Sequence, residues 1–199
     1  MKLLLTGFEP FDGGNINPSQ LVAERLACEG LEGMAVTVRV LPVDTQQAPG
    51  LAVAEVTEVQ PDVVIMLGLA SSRPVLAVER VAINLLDFRI PDNAGQQVVD
   101  GVVAQDGPAA YFATLPVRRM VEAAQAAGVP AELSLSAGAY LCNQVMYAAL
   151  HAIAVRGWAV KAGFVHLPAL PEMAVGKAMA SMCLEDMLTG VRAMALAAV

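Results

Sequence analysis

Short apolar runs alternate along the chain with stretches of helical spacing. Lys2–Thr6, Ala35–Leu41, Asp62–Leu67, Glu132–Leu135 and Ala162–His166 read as strands, mostly apolar throughout rather than alternating. Continuously apolar strands predict a sheet covered on both faces. Asn17-Pro18-Ser19-Gln20 is a helix start: Asn caps, Pro takes the first helical position and Gln can reach back. Asp44 with Gln47 is a weaker start of the same kind, and Pro116 to Ala127 reads as a helix closed by Gly128, with Pro130 beyond it. A further helix opens at Cys142 and continues through Met146, Leu150 and Ile153, and Met173 to Ala198 reads as mostly helical with a break at Gly190. Strands alternating with helices predict an α/β layer fold. No linker, low-complexity tract or repeat divides residues 1–199, so one domain is expected. Ser71 to Gly107 fits the rhythm least well. It holds Arg73-Pro74, Ile90-Pro91-Asp92-Asn93 and Gly95, which predict a hairpin or long loops, often the functional part of a compact domain.

Composition narrows the class. The 199 residues are 56% hydrophobic and carry Lys+Arg 12 against Asp+Glu 19, a net charge of -7. With no block of Lys or Arg, a nucleic-acid surface is not expected. A mean hydropathy of +0.57 raises the membrane question. The longest stretch without Asp, Glu, Lys or Arg, Leu133 to Val155, is interrupted by Ser134, Ser136, Gly138, Asn143, Gln144 and His151. It reads as a buried strand followed by a buried helix, and no membrane span is expected. Met1-Lys2-Leu3-Leu4-Leu5 starts like a secretion signal, but Glu9 and Pro10 cut its apolar run short. Three cysteines cannot all pair within the chain, which favours a reducing, cytoplasmic setting.

Cys142 is the first candidate for chemistry. It follows a strand and the small-residue turn Ser136-Ala137-Gly138-Ala139, and it opens a helix. A thiol there meets the positive end of the helix dipole and free N–H groups, both of which favour the thiolate. The bland alternative is a small buried hydrophobe, which is how Cys28 and Cys183 read, at the end of the first helix and among Met179, Met182 and Met187. The two histidines nearly exclude a histidine metal cluster, and no Cys-x-x-Cys or His-x-x-x-His pair exists, so neither metal nor cofactor is expected. His151 lies nine residues along the helix from Cys142, roughly 13 Å at ~1.5 Å per residue, too far to act as its base. His166 ends a strand, where open α/β sheets keep their sites, and is the partner expected for Cys142. A third group should orient the imidazole. Glu79, Asp87, Asp92, Asn84 and Asn93 compete for that role, and spacing does not choose among them; Glu79 could equally be a surface carboxylate paired with Arg80 or Arg73.

The loop Gly7-Phe8-Glu9-Pro10-Phe11-Asp12-Gly13-Gly14-Asn15-Ile16-Asn17 carries two of the five phenylalanines directly after a strand. It is either a ligand cradle with aromatic walls or a plug at the sheet end. The glycine spacing fits neither a Walker loop nor a dinucleotide fingerprint.

Together these residues resemble the pyroglutamyl-peptidase I family of cysteine peptidases. The resemblance rests, in order, on Thr6-Gly7-Phe8-Glu9-Pro10-Phe11 with Asn17-Pro18-Ser19, Glu79-Arg80-Val81-Ala82-Ile83-Asn84, Arg89-Ile90-Pro91-Asp92-Asn93-Ala94-Gly95, Ser136-Ala137-Gly138-Ala139-Tyr140-Leu141-Cys142-Asn143 and Phe164-Val165-His166-Leu167-Pro168. It implies a three-layer α/β/α sandwich around a mixed, mostly parallel sheet, with a catalytic triad of Cys142, His166 and Glu79. It also implies hydrolytic removal of an N-terminal pyroglutamyl residue from peptides, and a homo-oligomer. Arg89, from the Arg-Ile-Pro-Asp-Asn motif, is a candidate oxyanion donor beside the Cys142 N–H. A flat neutral lactam suits aromatic walls with a few hydrogen bonds. Phe8, Phe11, Tyr140 and Leu141 are expected as walls, and Asn17 as a polar contact. The chain departs from the family pattern at Asp12, Leu69, Ser71, Ser72, Ala139 and Met173, which bears on the pocket rather than on the triad. Two other readings are a different α/β hydrolase or phosphorylase of small substrates, and a non-catalytic binding protein on the same scaffold.

Overall fold

The computed structural model describes residues 1–199. Its centre is a six-stranded sheet built from β1 (Lys2–Phe8), β2 (Ala35–Leu41), β3 (Val63–Leu69), β4 (Leu76–Glu79), β7 (Ala131–Ser134) and β8 (Lys161–Leu167). The strand order is β2-β1-β3-β8-β4-β7. The pairs β1–β2, β1–β3 and β3–β8 are parallel; β4 runs antiparallel to β8 and parallel to β7. The sheet is therefore mixed and mostly parallel, as expected.

Alternation along each strand sends side chains into two cores. Leu3, Leu5, Ile65, Leu67, Val165 and Leu167 face one core, covered by α1 (Pro18–Glu29), α3 (Val117–Ala126) and α6 (Leu184–Ala197). Leu4, Val64, Met66, Ala162 and Phe164 face the other, covered by α2 (Ala48–Val59) and α4 (Leu141–Arg156). A small antiparallel two-stranded sheet of β5 (Val81–Ile83) and β6 (Ala110–Phe112) flanks this second layer. With helices on both faces, the fold is a three-layer α/β/α sandwich. No helix is long and apolar enough to cross a membrane.

Local chemistry sets the elements around the site. Asn17 caps α1 by accepting the Ser19 N–H at 3.0 Å, with Pro18 at the start of the helix. Gly7 lets that first turn press on β1, since a Cβ there would lie 2.4 Å from the Ser19 carbonyl oxygen.

Several expectations are corrected. The segment after Ser71 contains β4, a central strand of four residues, and not only loops. Leu135 lies outside its strand and is exposed. Asp44 binds the Gln46 and Gln47 N–H groups one turn before α2, which starts at Ala48. Met173 to Ala198 is mostly helical, but its interruption falls between Val175 and Cys183 and not at Gly190. The short α5 (Pro171–Ala174) gives way to an irregular run through Gly176, at φ 73°, and the Ala169–Ser181 bridge, before α6. Gly190 does not break α6; a Cβ there would lie 2.4 Å from Leu76 Cδ1, so it is the contact point of α6 with β4. Cys28 and Cys183 are exposed, not core. Cys183 sits at the cap of α6.

Candidate active site

The register of three neighbouring strands assembles the site. His166 on β8 lies opposite Gly68 on one side and Ala77 on the other, while Glu79 lies opposite Phe164. Glu79 and His166 are thus diagonal neighbours on one sheet face, close enough for their side chains to meet. His166 Nδ1 and Glu79 Oε1 are 2.8 Å apart. Both residues are buried, Glu79 fully. The Glu79 Oε2 atom has no hydrogen-bond partner, and Arg73 Nη2 approaches Oε1 at 3.4 Å.

α4 starts over the same face and sets Cys142 beside the imidazole: a Cβ on Gly68, the residue opposite His166, would lie 2.8 Å from Cys142 Sγ. Because Nδ1 is engaged by Glu79, the nitrogen left for sulfur is Nε2. Cys142 is the second residue of α4, whose cap residue Tyr140 makes no side-chain capping bond. The first N–H groups of the helix are therefore not consumed by a cap, and they favour an anion beside them. Asn143 anchors this end: its amide accepts from Ile83 N at 2.8 Å and donates to Ile83 O and Leu85 O. Burial pushes the His166 imidazole down. Against it, the negative charge and hydrogen bond of Cys142, together with the Glu79 carboxylate, raise it to about 9. At neutral pH the ring is an imidazolium.

The other candidates for orienting the imidazole are occupied elsewhere. Asp92 accepts from the backbone of Thr45, Ala94 and Gln96. Asn84 holds Val103 and Ala104, Asn93 binds Glu9 and Pro10, and Asp87 is exposed. His151 bonds the Tyr111 hydroxyl at 3.0 Å, away from the sulfur.

A narrow, almost wholly apolar pocket opens on Cys142. Phe8, Phe11, Asn17, Tyr140 and Leu141 all line it, joined by Val43 and Leu69. Val43 carried no signal beyond its apolar side chain. Phe8 is buried in the second core and acts partly as a plug, whereas Phe11 is half-buried and faces the opening. The Asn17 Oδ1 is spent on Ser19, and its amide donates to the Glu9 carbonyl at 2.9 Å, which leaves one N–H for the pocket. The Tyr140 ring meets Phe88 edge-on at 4.6 Å, and its hydroxyl donates to the Pro91 carbonyl. Burial, then the charges of Asp92 and Cys142, push the Tyr140 phenol up to about 12, so it stays neutral.

Arg89 does not line this pocket. It lies on an adjoining cavity of about 470 Å³ that shares Phe11, Leu69 and Tyr140 with it. All six positions that depart from the family pattern, Asp12, Leu69, Ser71, Ser72, Ala139 and Met173, line this larger cavity. No group of acidic, histidine or cysteine side chains is arranged to hold a metal ion.

An α/β sandwich with cysteine, histidine and glutamate gathered under an apolar pocket is the frame of a cysteine peptidase, and the comparisons specify which. The family model described as pyroglutamyl peptidase matches residues 1–199. Pyrrolidone-carboxylate peptidase 1 of Photorhabdus laumondii is 48% identical over 178 residues, covering 87% of this chain and 81% of that protein. The Pseudomonas fluorescens pyrrolidone-carboxylate peptidase is 45% identical, covering 98% and 92%. Among solved structures, a Pyrococcus furiosus pyrrolidone carboxyl peptidase mutant superposes with TM-score 0.96 at 39% identity, covering 100% of this chain and 98% of that one. Pyroglutamyl peptidase I of Bacillus amyloliquefaciens gives 0.96 at 35%, covering 99% and 94%. The chain belongs to the pyroglutamyl peptidase family of cysteine peptidases.

Proposed function

We propose that the chain, as one catalytic domain, hydrolyses the bond after an N-terminal pyroglutamyl residue of peptides. The observation that carries this reading is the thiol of Cys142, at an uncapped helix start, against the buried His166–Glu79 pair under a neutral apolar pocket. The Cys142 thiolate attacks the pyroglutamyl carbonyl, and free N–H groups of the α4 start receive the oxyanion. The His166 imidazolium gives its Nε2 proton to the departing amine. Neutral His166 then takes a proton from water, whose oxygen attacks the thioester and releases pyroglutamate and the thiolate. Glu79 holds the ring with Nδ1 protonated. The narrow pocket takes the lactam, and the larger cavity takes the residues that follow it. Arg89 is then placed to contact the peptide beyond the scissile bond, or to reach the oxyanion by moving inward. Release of a fluorogenic amine from a pyroglutamyl amide, with a prolyl amide as comparison, tests the reading. Equal turnover of both would reject it.

The proton held by His166 fixes the alkaline side of the pH profile. Its pKa of about 9 lies above the ordinary 6.5, so the imidazolium is complete at neutral pH and is lost as pH rises through about 9. We expect kcat/KM to fall through that range while the fold persists. A profile that declines near 6.5 would place the working group elsewhere.

The pocket reading predicts a kinetic split at Phe11. Its half-buried ring stands 6.4 Å from Tyr140. Full burial of a Phe side chain is worth ~1.5–3 kcal/mol, and the ring contact with a lactam only part of that. Phe11→Ala should raise KM several-fold, in keeping with that fraction, while alkylation of Cys142 continues. An unchanged KM beside a depressed Tm would make Phe11 a plug.

The cellular setting and assembly extend the proposal. The three cysteines are free, which suits a reducing cytoplasm. Phe112 and Leu135, each 70% exposed, are apolar side chains that a homo-oligomer would cover.

A further inference from the structure

Arg73, in the loop between β3 and β4, lines neither the pocket nor the larger cavity. Its guanidinium nevertheless reaches three parts of the site. Nη2 donates to the Ser134 hydroxyl at 2.9 Å, at the end of β7, and to the Ser136 carbonyl at 3.1 Å, in the turn that leads to Cys142. The same nitrogen stands 3.4 Å from Glu79 Oε1, the oxygen that engages His166. Nη1 donates outward to Glu132 at 3.1 Å. Glu79 is fully buried and its other oxygen is unpartnered. A buried carboxylate with an unpartnered oxygen is costly unless cations pair with it. His166 and Arg73 are the only cationic side chains that pair with it.

We propose that Arg73 is a positioning residue: it holds Glu79 aimed at His166, ties that strand to the turn carrying Cys142, and by its own charge sets the pH range over which the Cys142–His166 pair works. The proposal rests on the catalytic reading above.

The charges around the pair can be enumerated. β4 supplies Glu79, the β3–β4 loop Arg73, and β7 Glu132, which faces Arg73 from the solvent side. The turn before α4 supplies Tyr140, whose surroundings include Asp92, Asp12 and Arg89. β3 has no titratable residue, and Arg80 makes no ion pair. Arg73 is therefore the cation nearest Glu79 apart from the imidazolium itself. A positive charge there opposes the imidazolium proton and favours the thiolate. Its loss should raise the pKa of both groups.

The test compares Arg73→Gln, Arg73→Lys and, as a distant control of equal charge change, Arg156→Gln. Arg156 lies at the far end of α4, stacked over Trp158. Two profiles are measured against pH: kcat/KM on a pyroglutamyl amide, and the rate of Cys142 alkylation by iodoacetamide. The second needs no substrate, so it separates failure of this proposal from failure of the functional reading. Arg73→Gln should shift both limbs of both profiles alkaline by about half a unit to one unit. Its kcat should fall tenfold or more with KM within twofold, since Arg73 touches no pocket. Arg73→Lys should hold the limbs in place but lose much of kcat, because an ammonium cannot reproduce the guanidinium fork. Limbs unmoved in Arg73→Gln, limbs moved as far by Arg156→Gln, or a loss confined to KM would overturn the proposal. If Arg73→Gln does not fold, Arg73→Lys decides alone: wild-type kcat in that variant also overturns it.

Discussion

Cys142→Ala should yield a folded protein with no measurable turnover of a pyroglutamyl amide, a loss on the order of 10⁴ or more in kcat. The thiol of the proposed mechanism is removed outright, and no other cysteine can substitute: the other two lie elsewhere on the surface. The side chain is small and half-buried, so the fold should lose no more than about 1–2 kcal/mol. Cys28→Ser and Cys183→Ser are the controls. Both positions are exposed, so each should keep full activity and change stability by less than about 0.5 kcal/mol. The Ala variant carries a second signature. With the sulfur gone, burial acts on His166 against Glu79 alone, and the imidazole pKa should drop from about 9, as read by proton NMR. Residual activity near wild type in Cys142→Ala would exclude the thiol mechanism, and an unmoved imidazole would exclude contact between the two groups.

Much of this site was legible because its parts are local. A small-residue turn before a helix marks Cys142, and a strand followed by Leu167-Pro168 marks His166. Each is a statement about a few neighbours in the chain. Glu79 was not legible from spacing alone. Its role depends on β4 entering the sheet antiparallel beside β8, and β4 is four residues long after Arg73-Pro74. A strand that short has too little periodicity to stand out from a loop. The same antiparallel register buries Glu79 at mid-sheet instead of leaving it as a surface carboxylate. Only the family resemblance selected it.

The interruption between α5 and α6 was missed for a different reason. Met179, Met182 and Met187 around Cys183 look like the stripe of one long helix. In the fold Met179 lines the larger cavity and Met182 joins the first core, both from irregular backbone between α5 and α6, and only Met187 is on the helix. Apolar residues that wall a cavity or cap a core mimic helical periodicity without requiring a helix. Gly190 was misread for the converse reason. A glycine in a helix can mark close approach to a neighbour, here Leu76, as well as a break.

Gly68 illustrates a constraint no local pattern could reveal, and it carries the second large effect. On β3, opposite His166, it lies directly under the sulfur. A Cβ added there would stand 2.8 Å from Cys142 Sγ and 2.6 Å from Phe164 Cζ. Phe164 is fully buried and packs against the His166 ring at 4.8 Å, so it cannot yield without moving the imidazole. The sulfur can yield by rotating about its Cα–Cβ bond, which swings it off the line to Nε2. Displacement of a reacting atom by about 1 Å costs on the order of 10² in rate. Gly68→Ala should therefore lose about 10² or more in kcat, slow the alkylation of Cys142, and destabilise the fold by ~1–3 kcal/mol through overpacking. The two contacts can be separated by a double-mutant cycle. In a Cys142→Ala background the sulfur is no longer in the way, so Gly68→Ala should cost measurably less stability than it does in the wild type. Equal stability costs in both backgrounds would assign the strain to Phe164 alone. Wild-type kcat in Gly68→Ala would mean that the reacting sulfur does not sit over β3 at all.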